Sequence, residues 1–244
     1  MAVEKKERSQ LHKVALRGSS KLVAEFFEYS INTILFQRGV YPAEDFTPVK
    51  KYGLNMLGME IHSVLSTTAD SNAVSSDDQV KAYIKKIMSQ LNKWMVGGKI
   101  SKLVVVITSK ETGEHIERWQ FDVQILSKAS KHRSSKKSPD KENAAPEDAA
   151  PAEPEPEPEK TEAQIQEEIQ AIFRQITASV TFLPVLDGNC TFNVLVYADA
   201  DSDVPIEWGD SDAKEIKNGE KVQLRSFSTS NHKVDTLVSY RLAD

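Results

Sequence analysis

"KLVVVITSKETGEHIERWQFDVQIL" (residues 102–126) is the most regular pattern in the chain and reads as a β-hairpin. Leu103 to Ile107 are apolar without a break, as in a central strand buried on both faces. Its partner alternates Trp119, Phe121, Val123 and Ile125 with Arg118, Gln120, Asp122 and Gln124. That is the period of a strand with one dry face and one wet face.

Helical patterns flank the hairpin. In "SSKLVAEFFEYSINTILFQRGVYP" (19–42), Ser19 or Ser20 is expected to cap a helix that Gly39 and Pro42 end. Leu22, Val23, Phe26, Phe27, Ile31, Ile34 and Leu35 give it an apolar face wide enough to lie deep against a sheet. The preceding residues 1–13 are expected to be a flexible lead. "KYGLNMLGMEIH" (51–62) reads as a short hairpin and "STTADSNAVSS" (66–76) as a loop. A second helix opens at Ser76 with Gln79 as its capping box. It carries Val80, Tyr83, Ile84, Ile87, Met88, Leu91, Trp94 and Met95, and stops at Gly97-Gly98.

Residues 127–160 change character. "SKASKHRSSKK" is basic, and "SPDKENAAPEDAAPAEPEPEPEK" is acidic and holds six of the ten prolines. With no apolar set to bury, the segment reads as a disordered or extended tether inserted into one domain, 14–244. A third helix follows a capping box of Thr161 and Gln164, with Ile165, Ile169, Ile172, Phe173, Ile176 and Val180 on one stripe and Pro184 as its limit. "CTFNVLVYA" (190–198) alternates Cys190, Phe192, Val194 and Val196 as a strand. "KVQLRSF" (221–227) and "VDTLVSYRL" (234–242) are two more strands, joined by "STSNHK". Grouped strands with interspersed helices predict an α+β fold, with three helices on one face of a mainly antiparallel sheet.

The polar stretch 198–221, "ADADSDVPIEWGDSDAKEIKNGEK", has neither period. Between 199 and 220 it holds eight carboxylates and two lysines, net −6, against −5 for the whole chain. A solvated loop and a partner-binding strap both fit. Trp208 favours the strap, because aromatic anchors dominate interfaces.

Nothing favours catalysis. "MVGGKIS" lacks the upstream glycine and the Ser or Thr after Lys99 that a phosphate loop needs. The five histidines make no metal spacing. "DADSDV" begins like a calcium loop but has Val204-Pro205 where a glycine turn is required. Cys190 alternates with core residues, as a packed thiol does, and a lone cysteine forms no internal disulfide and fits a reducing compartment. No cofactor or metal is expected. The net negative charge argues against nucleic acid as a partner. The charged start "MAVEKKERSQLHK" resembles neither a signal nor an anchor, so no membrane insertion is expected.

"LRGSSKLVAEFFEYSINTILFQRGVYP", "KLVVVI…ERWQFDV", "IFRQITASVTFLP" and "LRSFSTSNHKV" together resemble the HORMA-domain proteins of the spindle-assembly checkpoint, over residues 14–242. The tether is longer and richer in proline than in that family. The resemblance implies a mobile C-terminal safety belt, here about 198–242. The belt either parks on a sheet edge (open) or crosses the molecule and re-pairs on the other side (closed), trapping a partner peptide added as a strand. It implies that Val194 and Val196 lie on the receiving strand and that Trp208 and Tyr240 fasten the belt. Arg174, Gln175, Thr181 and Phe182 match the family's self-association surface, and Thr236 a phosphorylatable hydroxyl.

The partners implied are a kinetochore coiled-coil checkpoint scaffold (mitotic arrest deficient protein one), the β-propeller activator of the anaphase-promoting complex, a second copy in an open–closed dimer, and an AAA+ remodelling ATPase with its HORMA adaptor. The expected location is nucleus, mitotic kinetochore and cytoplasm. A HORMA adaptor of a translesion polymerase, with the same belt and other clients, is the alternative, though that group lacks the match at "FRQITASVTFLP". In the tether, Ser138 opens a cyclin-dependent-kinase motif and Lys141–Asn143 spell a KEN degron.

Overall fold

Apolar periodicity becomes ten elements in the computed structural model, which describes residues 2–58, 76–126, 160–199, 201–206 and 208–242. They are α1 (Ala2–Gln37), β1 (Thr47–Lys51), β2 (Leu54–Gly58), α2 (Ser76–Val96), β3 (Ile100–Ser109), β4 (His115–Ile125), α3 (Glu162–Ala178), β5 (Cys190–Ala198), β6 (Glu220–Ser228) and β7 (His232–Tyr240). Five strands form one antiparallel sheet in the order β5-β3-β4-β7-β6, and β1–β2 is a separate hairpin.

The three helices cover one face. Leu103, Val105, Ile107, Trp119, Phe121 and Val234 meet α1 there, and Val23, Phe26, Phe27, Ile31, Ile34 and Leu35 of α1 are wholly buried. Phe26 is the hub: its ring lies 5.7 Å from Phe121, 5.4 Å from Phe173 of α3 and 4.8 Å from Phe227 of β6. Such clustered rings add about 0.5–1.5 kcal/mol per pair beyond burial alone. The wide stripe on α1 is thus explained, because sheet and helices contact it from different sides.

Three expectations need correction. Helix α1 begins at Ala2, not at Ser19 or Ser20, so residues 2–13 of the lead are helical. "AVEKKERSQLHKVAL" consists mostly of good helix formers, with no proline to stop it. Ser19 and Ser20 are instead interior: Ser20 Oγ donates to the Met95 carbonyl at 3.1 Å. The short hairpin lies at 47–58, four residues earlier than read from the sequence, and turns at Tyr52 (φ 51°) and Gly53 (φ 67°). Tyr52 is held in that unusual conformation by its hydroxyl's bond to Glu25 at 2.8 Å and by Gln170, which donates to its carbonyl at 2.7 Å. Val180, placed on the α3 stripe, is 40% exposed because the helix gives way to a 3-10 turn over Ser179–Thr181. The capping box of Thr161 and Gln164 forms as the sequence predicts.

The tether residues 127–159, with Ser138 and Lys141–Asn143, lie outside the described residues. The chain leaves and re-enters at one end of the sheet: Leu126 N donates to Asn231 O at 2.7 Å, and Lys160 Nζ to Ser228 Oγ at 2.7 Å.

At that same end the β6–β7 turn docks on α1. Ser19 Oγ is 2.6 Å from His232 Nδ1 and 2.5 Å from Thr229 Oγ1. Burial pushes the His232 imidazole below its ordinary value. An imidazole depressed in the fold stabilises it above the unfolded value of about 6.5, and that stability is lost as pH falls below it. Amide protection of 228–234 should therefore drop as the pH falls below about 6.5. His232→Gln should flatten this dependence in hydrogen-exchange profiles. An unchanged profile in the variant would show that another group is responsible.

Candidate functional site

Strand β5 pairs only with β3, so its outer edge is free of strand partners among the described residues. A free edge presents unpaired N–H and C=O groups as a template for another strand. The polar stretch after β5 does not leave that edge open to bulk solvent. It first turns over the end of α2: Asp199 N donates to Lys99 O at 2.9 Å, Lys99 Nζ pairs with Asp201 at 2.7 Å, and Trp94 Nε1 donates to the Asp203 carbonyl at 3.0 Å. Trp208 then packs edge-on against Trp94 with ring centres 5.0 Å apart.

The result is a slot of about 360 Å³. Val194, Val196, Tyr197 and Ala198 of the edge strand form one wall, and Val204, Trp208 and Gly209 to Asp212 form the other. Val194 and Val196 point to the helical face, in register with Val105 and Leu103. The Val194 backbone N–H already donates to the Tyr83 hydroxyl. Three carboxylates, Asp199, Asp210 and Asp212, line the opening. An extended segment with an apolar side chain towards Trp208 and a basic one towards these acids is what such a slot would take.

Beyond Trp208 the segment crosses the face of the sheet that carries no helix. Arg118 Nε donates to the Ala213 carbonyl at 3.1 Å, Nη1 donates to Gln120 Oε1 at 2.6 Å, and Nη2 pairs with Glu215 at 3.4 Å. The alternation in β4 places Arg118 on a wet face, yet its side chain is 2% exposed. The crossing segment covers it, burying Ile216 as well. The segment ends at Gly219, where a Cβ would come within 2.8 Å of the Tyr240 carbonyl and 2.5 Å of Ile216. A glycine is required at that close approach.

The structure brings Val194, Val196 and Trp208 together and places Tyr240 elsewhere. Tyr240 is a buried residue of β7, opposite Glu117 and Glu220, with its ring 6.0 Å from Phe182. It holds the far end of the crossing segment through the Gly219 approach. Arg174, Thr181 and Phe182 are exposed on α3 and the turn after it, whereas Gln175 is half-buried and accepts from Arg225 N at 2.7 Å. Thr236 is fully buried in β7. Sequence reasoning missed Arg118 and Trp94, since a strand period and a helical stripe both read as core or solvent. Cys190 is half-buried and burial pushes its thiol up, away from nucleophilic use. Among the described residues no group of His, Cys, Asp and Glu could hold a metal, and no helix is long and apolar enough to cross a membrane.

A β-sheet backed by three helices, with an edge strand free of strand partners among the described residues and roofed by a C-terminal strap, is the architecture of a protein-interaction domain. The HORMA-domain profile matches residues 19–232, and the chain belongs to that family. Within it the chain is 52% identical over 228 residues to the mitotic spindle checkpoint component mad2 of Schizosaccharomyces pombe, covering 93% of this chain and 94% of that protein. A chain in a crystal structure of a mitotic checkpoint complex superposes with a TM-score of 0.67 at 51% identity, over 92% of this chain and 99% of that one. The Caenorhabditis elegans protein HTP-2, bound to an HTP-3 closure motif, shares the fold at a TM-score of 0.61 and 15% identity, over 91% and 85% of the two chains.

Proposed function

We propose that this protein is a spindle-checkpoint switch. In this reading it captures a partner segment as an added strand on β5 and locks it beneath 199–219. The observation that carries the reading is the pairing of a free edge strand with a slot roofed by Trp208, while the β6–β7 hairpin sits on the opposite edge of the sheet. This is the closed arrangement. In the open one the hairpin occupies the β5 edge and excludes the client. Two packings of one sequence within a few kcal/mol of each other suffice for such a switch.

The clients in this reading are the coiled-coil kinetochore scaffold and the β-propeller activator of the anaphase-promoting complex, whose sequestration restrains anaphase. An AAA+ ATPase with a HORMA adaptor reopens the belt, and the protein works at mitotic kinetochores, in the nucleus and in the cytoplasm. No catalytic step is involved. Self-association uses the exposed Arg174, Thr181 and Phe182, with Gln175 beside them. Arg174→Glu is expected to abolish dimers in analytical ultracentrifugation while leaving peptide capture intact. Persistence of the dimer would remove α3 from the interface.

The test is amide exchange with and without a basic–apolar peptide from a checkpoint client. Capture should protect 190–198 and 199–219 together. Trp208→Ala, which removes a central aromatic anchor, should weaken binding about 30-fold. Protection confined to another surface would refute strand capture.

A further inference from the structure

Trp208 has a second neighbourhood. On the side away from the slot, Trp208 and Pro205 form one wall of a groove of about 580 Å³ whose other wall is the outer face of α2: Lys85, Lys86, Ser89 and Lys93. Lys85, Lys86, Ser89 and Lys93 are exposed. Lys85 and Lys93 make no ion pair among the described residues, although acidic side chains abound in this chain. An aromatic and a proline beside a row of cations fits a segment that is both proline-rich and acidic, because proline-rich chains dock aromatic-lined grooves and carboxylates match lysines.

The chain contains such a segment. Residues 147–155, "EDAAPAEPE", carry Glu147, Asp148, Glu153 and Glu155 around Pro151 and Pro154. Lys85 and Lys93 are eight helical residues apart, about 12 Å along the axis. Asp148 and Glu153, five residues apart in an extended proline-rich chain, would stand about 15 Å apart. Reach is also adequate. The tether departs after Leu126, and the neighbouring Ile125 Cδ1 lies 3.1 Å from where a Cβ on Gly98 would stand, just past the C-terminus of α2. From Leu126 to Glu147 the chain can extend about 70 Å; from Lys160, on the β6 side of the sheet, back to Glu153 it can extend about 23 Å, against about 19 Å for the four strand spacings that separate β6 from β5.

We propose that the acidic, proline-containing segment 147–155 of the same chain docks in the groove between α2 and the strap. The groove's second wall exists only where Pro205 and Trp208 cross α2. Docking therefore favours the crossed arrangement, and crossing favours docking by the same factor. Covalent attachment supplies the segment at an effective concentration of about millimolar, so modest contacts suffice. The proposal extends the capture reading, resting on it only for the crossing of α2 by the strap.

Zero-length carbodiimide cross-linking of the full chain, followed by peptide mass spectrometry, tests it. Links from Lys85 and Lys93 to carboxylates in 147–155 should exceed those to the exposed Lys50 and Lys221 by at least about fivefold, given that local concentration. Charge reversal at the two ends of the row, K85E with K93E, should abolish the excess at neighbouring Lys86 as well. Replacing the four carboxylates by Gln and Asn should remove the links while leaving the fold intact. Links spread evenly over all exposed lysines would overturn the proposal. So would links found only between isotopically labelled and unlabelled chains, which would make the occupant a second copy. Binding of the basic–apolar client peptide to the wild-type and K85E/K93E proteins is measured alongside. Its absence in the wild type would refute strand capture, whereas cross-links alone decide the docking.

Discussion

Thr236→Glu is expected to prevent the C-terminal hairpin from seating on β4. Thr236 is 0% exposed and stands opposite Phe121, with Val234 and Val238 on either side of it. A carboxylate there would enter an apolar layer with no cation in reach, at a cost of several kcal/mol. The proposed switch needs alternative packings separated by about that much, so the docked arrangement of the hairpin should be lost rather than weakened. Exchange protection of 232–240 should fall to that of an undocked segment, and capture of the client peptide should disappear. Thr236→Val gives the opposite sign. The Thr236 hydroxyl has no hydrogen-bond partner, so replacing it by a methyl should stabilise the fold by about 1 kcal/mol. A kinase could reach this hydroxyl only with β7 undocked, and a phosphate would then oppose re-docking more strongly than glutamate does. If the glutamate variant kept full protection and full capture, β7 would not be the hinge of the proposed switch.

Arg118→Ala is the second large expected effect. Its guanidinium joins the helix-free face of the sheet to the strap through Ala213 and Glu215. Removing a buried charge-assisted bond costs about 1.5–3 kcal/mol, so a trapped peptide should escape about 10- to 100-fold faster. Arg118→Lys should not rescue it, because a single ammonium cannot address three acceptors arranged for a planar fork. Peptide dissociation followed by fluorescence anisotropy, beside the melting temperature, separates the two roles. A lower melting temperature with unchanged release would make Arg118 a packing residue and no fastener of the strap.

The walls of the slot beside β5 are partly legible in the sequence. Val194 and Val196 fall on a strand by period, and Trp208 stands out among eight carboxylates. Trp94 is not legible in the same way, because a tryptophan on a helical stripe reads as core, and its indole N–H meets the Asp203 carbonyl only through the fold. The family resemblance groups Tyr240 with Trp208 as a fastener. Tyr240 lies instead at the end of the crossing segment, buried against Phe182, and acts there through backbone packing.

By itself the sequence determined the local elements and the main core. Period, caps and breakers fixed α2, α3 and the five long strands, because these depend on residues within a few positions of one another. The same alternation fixed which face of β4 meets the helices. Only the tertiary structure decided which strand neighbours which, that β6–β7 docks beside β4, and that β5 keeps a free edge. A period of two specifies the buried face of a strand and leaves its partner open, so an antiparallel hairpin can satisfy either edge of the sheet. The burial of Arg118 follows from that choice alone, since the strap covers its face only when it crosses from one edge to the other.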